Sequence, residues 1–232
     1  MKTLSIDTSL ASGSVAAIDG DRTTARPLGT AGEHARLLTA ALADAAAGLG
    51  WRPRDAELVA VVRGPGSFTG LRVGVTAAKA VAWANGCRLL GVSGFEVAAR
   101  AAGGLQGPIH VAYDAGRGDV FAATALPSTT SPTGWSIGPA ALAPLADWLD
   151  RLPPGGLVAG PALDVEAIRQ ALATRPDLRA AADGGRGHAA ATAGRIALLR
   201  AAAGESDDPA TLVPDYLRAS YAEDRPPRAG TG

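Results

Sequence analysis

Hydrophobic and polar positions form three short strand-like runs in the first 28 residues, and the pattern then changes. Thr3 to Ser9 predicts a first strand, Ser14 to Ile18 a second and Thr23 to Leu28 a third, with short links rich in Gly, Asp and Ser. Successive strands joined by such short links predict an antiparallel meander. From Glu33 to about Gly48 the period becomes helical, because Leu38, Ala41, Leu42, Ala45 and Leu49 recur at three- and four-residue steps. The apolar run Leu58 to Val62 predicts a buried strand, and the turn Gly64-Pro65-Gly66-Ser67 leads into a helix from about Ser67 to Ala84. Arg88 to Val92 predicts another strand. A helix from Ser93 to about Ala102 follows, with Ser93 and Glu96 spaced as a capping box. Three antiparallel strands followed by alternating helices and strands give one mixed sheet covered on both faces, an α/β architecture.

Beyond Gly103-Gly104 the pattern is looser. Ile109 to Asp114 and Asp119 to Leu126 predict a strand and its hairpin return, and the Pro-, Ser- and Thr-rich residues 127–138 predict a surface loop. Ala140 to Leu152 suggests a helix, Gly155 to Gly160 a short strand with a glycine turn, and His188 to Ala203 a long helix. We therefore expect a first lobe over residues 1–104, completed by the helix 188–203, a second lobe over 105–218, and a flexible tail over 219–232.

Lys plus Arg and Asp plus Glu are both 22 in a chain of 232 residues, so net charge advertises no broad nucleic-acid or membrane surface. Any RNA contact has to be local or made by a partner. The lone Cys87 rules out an intramolecular disulfide and a cysteine-based zinc site. The strand pattern starts straight after Met1-Lys2, and no run of 18 apolar residues free of charge or glycine follows. The expectation is a cytoplasmic protein without a membrane span.

The turn Gly64 to Ser67, between a strand and a helix, is shaped like a nest of backbone N–H groups that holds an anion. It lacks both the Gly-x-x-x-x-Gly-Lys-Ser/Thr and the Gly-x-Gly-x-x-Gly spacing, and the first downstream lysine is Lys79. A rigid turn that packs strand against helix explains it equally well. Asp7 and Ser9, at the end of the first strand, could converge with Gly64, Pro65, Gly66 and Ser67 on one cleft. There Asp7 could hold magnesium through water, act as a base, or simply accept backbone N–H groups. Ser67 has no histidine assignable as its base, so it is read as a helix cap. His34 stands alone as a metal-ligand candidate, because the position four residues on is Leu38. Arg72, Thr76, Lys79 and Trp83 share one helical stripe, either a wet face or an interface anchored by Trp83. Gly70 and Gly74 mark a close backbone approach, to the sheet below or to another subunit. Asp114, Arg117 and Asp119 either orient a ligand or satisfy their turn with a local ion pair.

Several of these residues together resemble the bacterial TsaB family. They are Ile6-Asp7-Thr8-Ser9, Glu33-His34 with Leu37-Leu38, Gly64 to Gly74 with Ala78-Lys79, Asp114-Ala115 with Arg117 and Asp119-Val120-Phe121, and Pro214 to Arg218. Gly116 departs from the family pattern, which more often runs Asp-Ala-Arg directly. The resemblance implies an actin-like, ribonuclease-H-type fold of two lobes, with mixed sheets flanked by helices. It implies a non-catalytic scaffold for N6-threonylcarbamoyladenosine formation at position 37 of tRNAs reading ANN codons. The expected partners are a TsaD-like catalytic subunit, a TsaE-like ATPase, tRNA through the complex, and a second copy when the chain is alone. The first docking helix would carry His34, Leu37, Leu38, Ala41 and Leu42; the second would carry Gly70, Arg72, Gly74, Ala77, Ala78 and Val81. Asp7, Ser9 and Gly64 to Ser67 would be the relict nucleotide cleft of the superfamily. No cofactor is expected for this chain, and ATP or ADP with magnesium has its place in the partner complex. The catalytic relative holds a metal with a His-x-x-x-His pair whose second position is Leu38 here, so no metal is expected. The competing reading is an ATP-dependent phosphotransferase or hydrolase that uses Asp7 and the Gly64 to Ser67 turn.

Overall fold

Two sheets with the same strand order organise the chain. The structure is a computed structural model that describes residues 1–103, 107–181 and 189–218. His188 and the expected tail 219–232 lie outside the described residues. The first lobe contains β1 (Thr3–Asp7), β2 (Ser14–Asp19), β3 (Arg22–Pro27), α1 (His34–Ala47), β4 (Leu58–Gly64), α2 (Phe68–Asn85), β5 (Arg88–Ser93) and α3 (Gly94–Ala101). Its sheet runs β3-β2-β1-β4-β5, antiparallel through the first three strands and parallel from β1 through β4 to β5. The second lobe contains β6 (Ile109–Gly116), β7 (Asp119–Pro127), β8 (Trp135–Ile137), β9 (Ala141–Pro144), α4 (Leu145–Asp150), β10 (Leu157–Ala159), α5 (Glu166–Ala173) and β11 (Arg179–Ala180), and α6 (Ala189–Ala202) follows. Its sheet runs β8-β7-β6-β10-β11, again antiparallel on one side of β6 and parallel on the other, with β9 on the other end of β7. The second lobe thus repeats the connectivity of the first. This is the expected actin-like, ribonuclease-H-type α/β fold.

Both faces of the first sheet are dry. Leu4, Ile6, Val59 and Val61 pack with Leu38 and Leu42 of α1 and Val75 and Ala78 of α2. On the opposite face Leu58, Ala60, Val62 and Leu90 pack with Ala193, Ile196 and Ala197 of α6. Strands buried on both faces need continuous apolar runs, which is why Leu58 to Val62 carries no alternation. α6 lies close to the sheet because Gly194 has no side chain; a Cβ there would stand 2.6 Å from Ile18 Cδ1. Ser14 Oγ accepts the α6 backbone N–H of Ala190 at 3.3 Å.

α3 joins the two cores. Val97 belongs to the first lobe's core, while Phe95, Ala98 and Ala99 pack with Ile109, Val111, Tyr113 and Trp135 of the second. The capping box expected at Ser93 and Glu96 does not form. The Ser93 side chain makes no cap bond, and Glu96 points inward, where its Oε1 accepts the Thr133 hydroxyl at 2.5 Å. The sheet on the second-lobe side draws Glu96 away from the helix end.

Two further expectations change. The segment Ala140 to Leu152 is divided into β9 and α4 at Pro144, since the residue before a proline is driven out of the helical region. Residues 127–138 are not all loop: β8 pairs with β7, and Trp135 is buried. α5 and β11 are elements the pattern did not reveal, although Ile168 and Leu172 of α5 are buried at a four-residue step.

Burial pushes the Glu96 carboxyl above its ordinary range, opposed by the Thr133 hydroxyl and by Arg200 and Arg100. A carboxyl raised on folding binds its proton more tightly in the native state, so stability falls as pH rises through the window above the ordinary glutamate value. Glu96→Gln keeps an acceptor for Thr133 and removes the charge. Its thermal midpoint should exceed that of the parent at pH 7.5, with the difference shrinking towards pH 4.5; a difference independent of pH would remove this account.

Candidate functional site

β1 delivers Asp7, Thr8 and Ser9 to the end of the first sheet, and each has a structural task there. Asp7 is 3% exposed. Its Oδ1 accepts the Ser9 N–H at 2.9 Å and the Ser9 hydroxyl at 2.6 Å. Burial raises its carboxyl, against the lowering effect of the Ser9 bonds and of nearby His34. Of the three roles left open, the structure displays the turn-closing one.

The glycine turn is seated on the same three residues. Ser67 N–H donates to Ser9 O at 2.7 Å, and the Thr8 hydroxyl donates to Gly70 O at 2.7 Å. Ser67 caps α2, its Oγ accepting the Gly70 N–H. A Cβ on Gly66 would overlap Ser9 O, one on Gly70 would overlap Thr8 O, and one on Gly74 would overlap Thr8 Oγ1. The close approach marked by Gly70 and Gly74 is therefore to the lobe's own first strand and not to another subunit. Asp7 and Ser9 do not join Pro65, Gly66 and Ser67 on an open cleft, because the Thr8-Ser9 backbone fills the space between them.

His34 is also inward. It is 1% exposed, with Nε2 at 3.3 Å from Gly13 N and 3.2 Å from Ala11 O, so the ring pins the loop between β1 and β2. Its Nδ1 has no partner. Among the described residues no three His, Cys, Asp or Glu side chains form a group that could hold a metal. Leu38, Ala41, Leu42 and Ala78 are buried in the first core. Of the expected docking residues, Arg72 is exposed and Leu37, Ala77 and Val81 are half-buried; His34, Leu38, Ala41, Leu42, Gly70, Gly74 and Ala78 are corrected to interior positions. The reason is that the periodic stripe of a surface helix marks its core face. The outer face carries Thr39, Ala40 and Ala43 of α1, and Thr76, Ala80 and Trp83 of α2, with Trp83 84% exposed.

The segment Asp207 to Arg218 crosses from one lobe to the other as a strap. Asp207 pairs with Leu89 at the edge of β5, and Leu212 enters the first core. Lys79 Nζ donates to Leu212 O at 3.0 Å. Asp215 N–H donates to Arg63 O at 2.7 Å, and its carboxylate meets Arg63 Nε at 3.0 Å. Tyr216 stacks on Phe68 with ring centroids 4.7 Å apart. Arg218 reaches the second lobe, pairing with Asp119 at 2.6 Å and donating to Ala115 O at 2.9 Å. Asp119 is thus bonded across the molecule to the strap, while Asp114 Oδ1 accepts Gly116 N–H inside its own turn. Gly116, Arg117 and Gly118 all have positive φ, which accommodates the additional glycine as a bulge beside a two-residue hairpin turn.

Pro65, Gly66 and Ser67 do line a cleft of about 710 Å³, facing Asp114, Phe121 and the strap. A second pocket of about 670 Å³ lies beyond the strap, against α2. The sequence of Val213 to Arg218 suggests a tyrosine and an arginine returning to the first lobe; Tyr216 does so on Phe68, whereas Arg218 reaches the second lobe, and both pockets share this strap. The alternation of Arg63, Lys79 and Arg218 with the acids and carbonyls they reach is not a local pattern, so only the motif Pro214 to Arg218 signalled it.

A family model described as TsaD, tRNA N6-adenosine threonylcarbamoyltransferase, matches residues 25–160. The tRNA threonylcarbamoyladenosine biosynthesis protein TsaB of Bacillus subtilis is 33% identical over 176 residues, covering 74% of this chain and 73% of that protein. The chain belongs to the TsaB family. A tRNA N6-adenosine threonylcarbamoyltransferase of Streptococcus suis is 40% identical over 79 residues, but this covers only 24% of the transferase. Two solved structures share the fold across almost the whole chain. One is YeaZ from Pseudomonas aeruginosa, with a TM-score of 0.73 at 22% identity, covering 93% of this chain and 99% of that one. The other, from the same organism and described as similar to peptidase YEAZ, has a TM-score of 0.74 at 22% identity, covering 94% and 99%. No helix among the described residues is long and apolar enough to cross a membrane.

Gly70→Ala adds a methyl group where Thr8 O already stands. Overpacking of this kind costs about 1–3 kcal/mol, more than the ~1 kcal/mol that alanine gains in a helix. Urea unfolding should show a net loss of stability, whereas Ser67→Ala should lose only about 1 kcal/mol through the cap. An unchanged or raised midpoint for Gly70→Ala would mean that α2 is not seated on Thr8.

Proposed function

We propose that this chain is a non-catalytic subunit of the machinery that forms threonylcarbamoyladenosine in tRNA, docking a TsaD-like catalytic subunit and helping to recruit a TsaE-like ATPase. The observation that carries the reading is the relationship to the Bacillus biosynthesis protein over three quarters of the chain. The outer face of α1 and α2 supports the docking part. It carries the small residues Thr39, Ala40, Ala43, Thr76 and Ala80 together with the 84%-exposed Trp83, and Arg36 and Asp44 of α1 stand beside them. A second copy would use this face when the partner is absent. The competing phosphotransferase reading loses its acid, since Asp7 is buried outside the cleft that Pro65, Gly66 and Ser67 line.

Leu42→Arg would put a charge in the core and test folding, so the variants belong on the outer face. Trp83→Ala combined with Ala80→Arg should leave the thermal midpoint of the free chain unchanged and weaken binding to a co-expressed TsaD-like subunit by about 30-fold or more. Undiminished co-purification would place the docking surface elsewhere.

A further inference from the structure

The pocket between α2 and the strap departs from the charge balance of the rest of the chain. Its lining includes Arg72, Lys79 and Arg218 and no carboxylate, although acids and bases are equal in number overall. Arg218 is committed to Asp119 and Ala115, so its charge is compensated and its task is to hold the strap. Arg72 is exposed, lies 5.5 Å above the Phe68 ring and is paired with no carboxylate among the described residues. Lys79 gives one hydrogen bond to Leu212 O and keeps two donors. Beside Arg72, on the side away from Lys79, lies the stacked pair of Phe68 and Tyr216, residues that remain 41% and 44% exposed. Aromatic rings left open to solvent beside unpaired cations match the two halves of a nucleotide, a planar base and a phosphate.

We propose that this pocket binds a nucleotide unit of single-stranded RNA, the base stacking on the Phe68 and Tyr216 pair and the adjoining phosphates meeting Arg72 and Lys79. The inference rests on the reading that places the chain in a tRNA-modifying assembly, and it adds a direct RNA contact to a subunit whose overall charge predicts none. A volume of about 670 Å³ exceeds what one base and its sugar-phosphate need. The pocket walls are ring faces and aliphatic groups of Leu212, Val213 and Pro214, which suit stacking and tolerate any base. Such a site gains its affinity from successive phosphates of a strand, and this favours a polynucleotide over a free nucleotide. An acidic peptide would use the cations and leave the rings idle. The site borders the docking face through Thr76, which belongs to both, and Arg72 lies about 16 Å from Trp83 along α2.

The test is fluorescence anisotropy of a labelled nine-residue oligoadenylate RNA with the isolated full chain. Two phosphate contacts predict that log K falls against log salt with a slope of about −1.4. Arg72→Ala should weaken binding and bring the slope to about −0.7. Tyr216→Ala should weaken binding about 5- to 100-fold and Tyr216→Phe should restore it. Arg169→Ala, which removes an exposed arginine paired with Glu166, should change nothing. Arg72 is bonded to no part of the strap, so its variant remains informative if Tyr216→Ala disturbs local structure. Absence of RNA binding, or binding indifferent to both Arg72→Ala and Tyr216→Ala, would overturn the proposal. So would AMP competing as well as the RNA, which would assign the pocket to a free nucleotide. Loss of this proposal with co-purification intact would leave the docking reading standing, and loss of co-purification with RNA binding intact would do the reverse.

Discussion

The seat of α2 on β1 is the constraint from which the rest follows. Thr8 and Ser9 meet the helix backbone through positions where no side chain is possible, Gly66, Gly70 and Gly74. Two hydrogen bonds then fix the angle, from Ser67 N–H to Ser9 O and from the Thr8 hydroxyl to Gly70 O. Burying these groups without partners would cost about 1–3 kcal/mol each, so the paired arrangement leaves α2 little freedom to slide or rotate. With that angle set, Val75 and Ala78 face the sheet while Trp83 and Arg72 face solvent. The outer helix face and the pocket beside the strap are both consequences of one backbone contact.

The same contact engages one donor of the turn that has the shape of an anion nest. In an open nest, the ligand's oxygen collects the free N–H groups. Here a carbonyl of the chain itself, Ser9 O, takes the Ser67 N–H, and the carboxylate next to it is turned back on Ser9. Neutral backbone thus separates Asp7 and Ser9 from the cleft that Pro65, Gly66 and Ser67 line. The two lobes are then joined by apolar packing of α3 and by the charged strap, which uses Arg63 on one side and Asp119 on the other.

The first lobe was legible in the sequence nearly element by element. Its strands are short runs bounded by links rich in Gly, Asp and Ser, and its helices carry apolar residues at three- and four-residue steps. The second lobe was less so, because β8, β10 and β11 are two or three residues long, too short for any period to emerge, and Pro144 divides a stretch that otherwise scans as one helix. At the candidate site the motif residues were found and their direction was misjudged. Periodicity identifies which positions of α1 share a face; the packing partner decides that Leu38, Ala41 and Leu42 are the face turned inward. Glu96 failed for a related reason, its spacing fitting a local cap while Thr133, 37 positions away, supplied a better partner.

α6 gives the first lobe a property that its early strands do not suggest. The helix covers Leu58, Ala60 and Val62 and is tethered through Ala190 to Ser14, yet the entire second lobe lies between β5 and α6 in the chain. In the order of synthesis, the second lobe is an insertion that interrupts the first. A nascent chain emerging from the ribosome therefore displays a five-stranded sheet whose second apolar face stays largely uncovered until α6 arrives. During that interval the apolar face that α6 covers in the finished molecule is open to association with other chains.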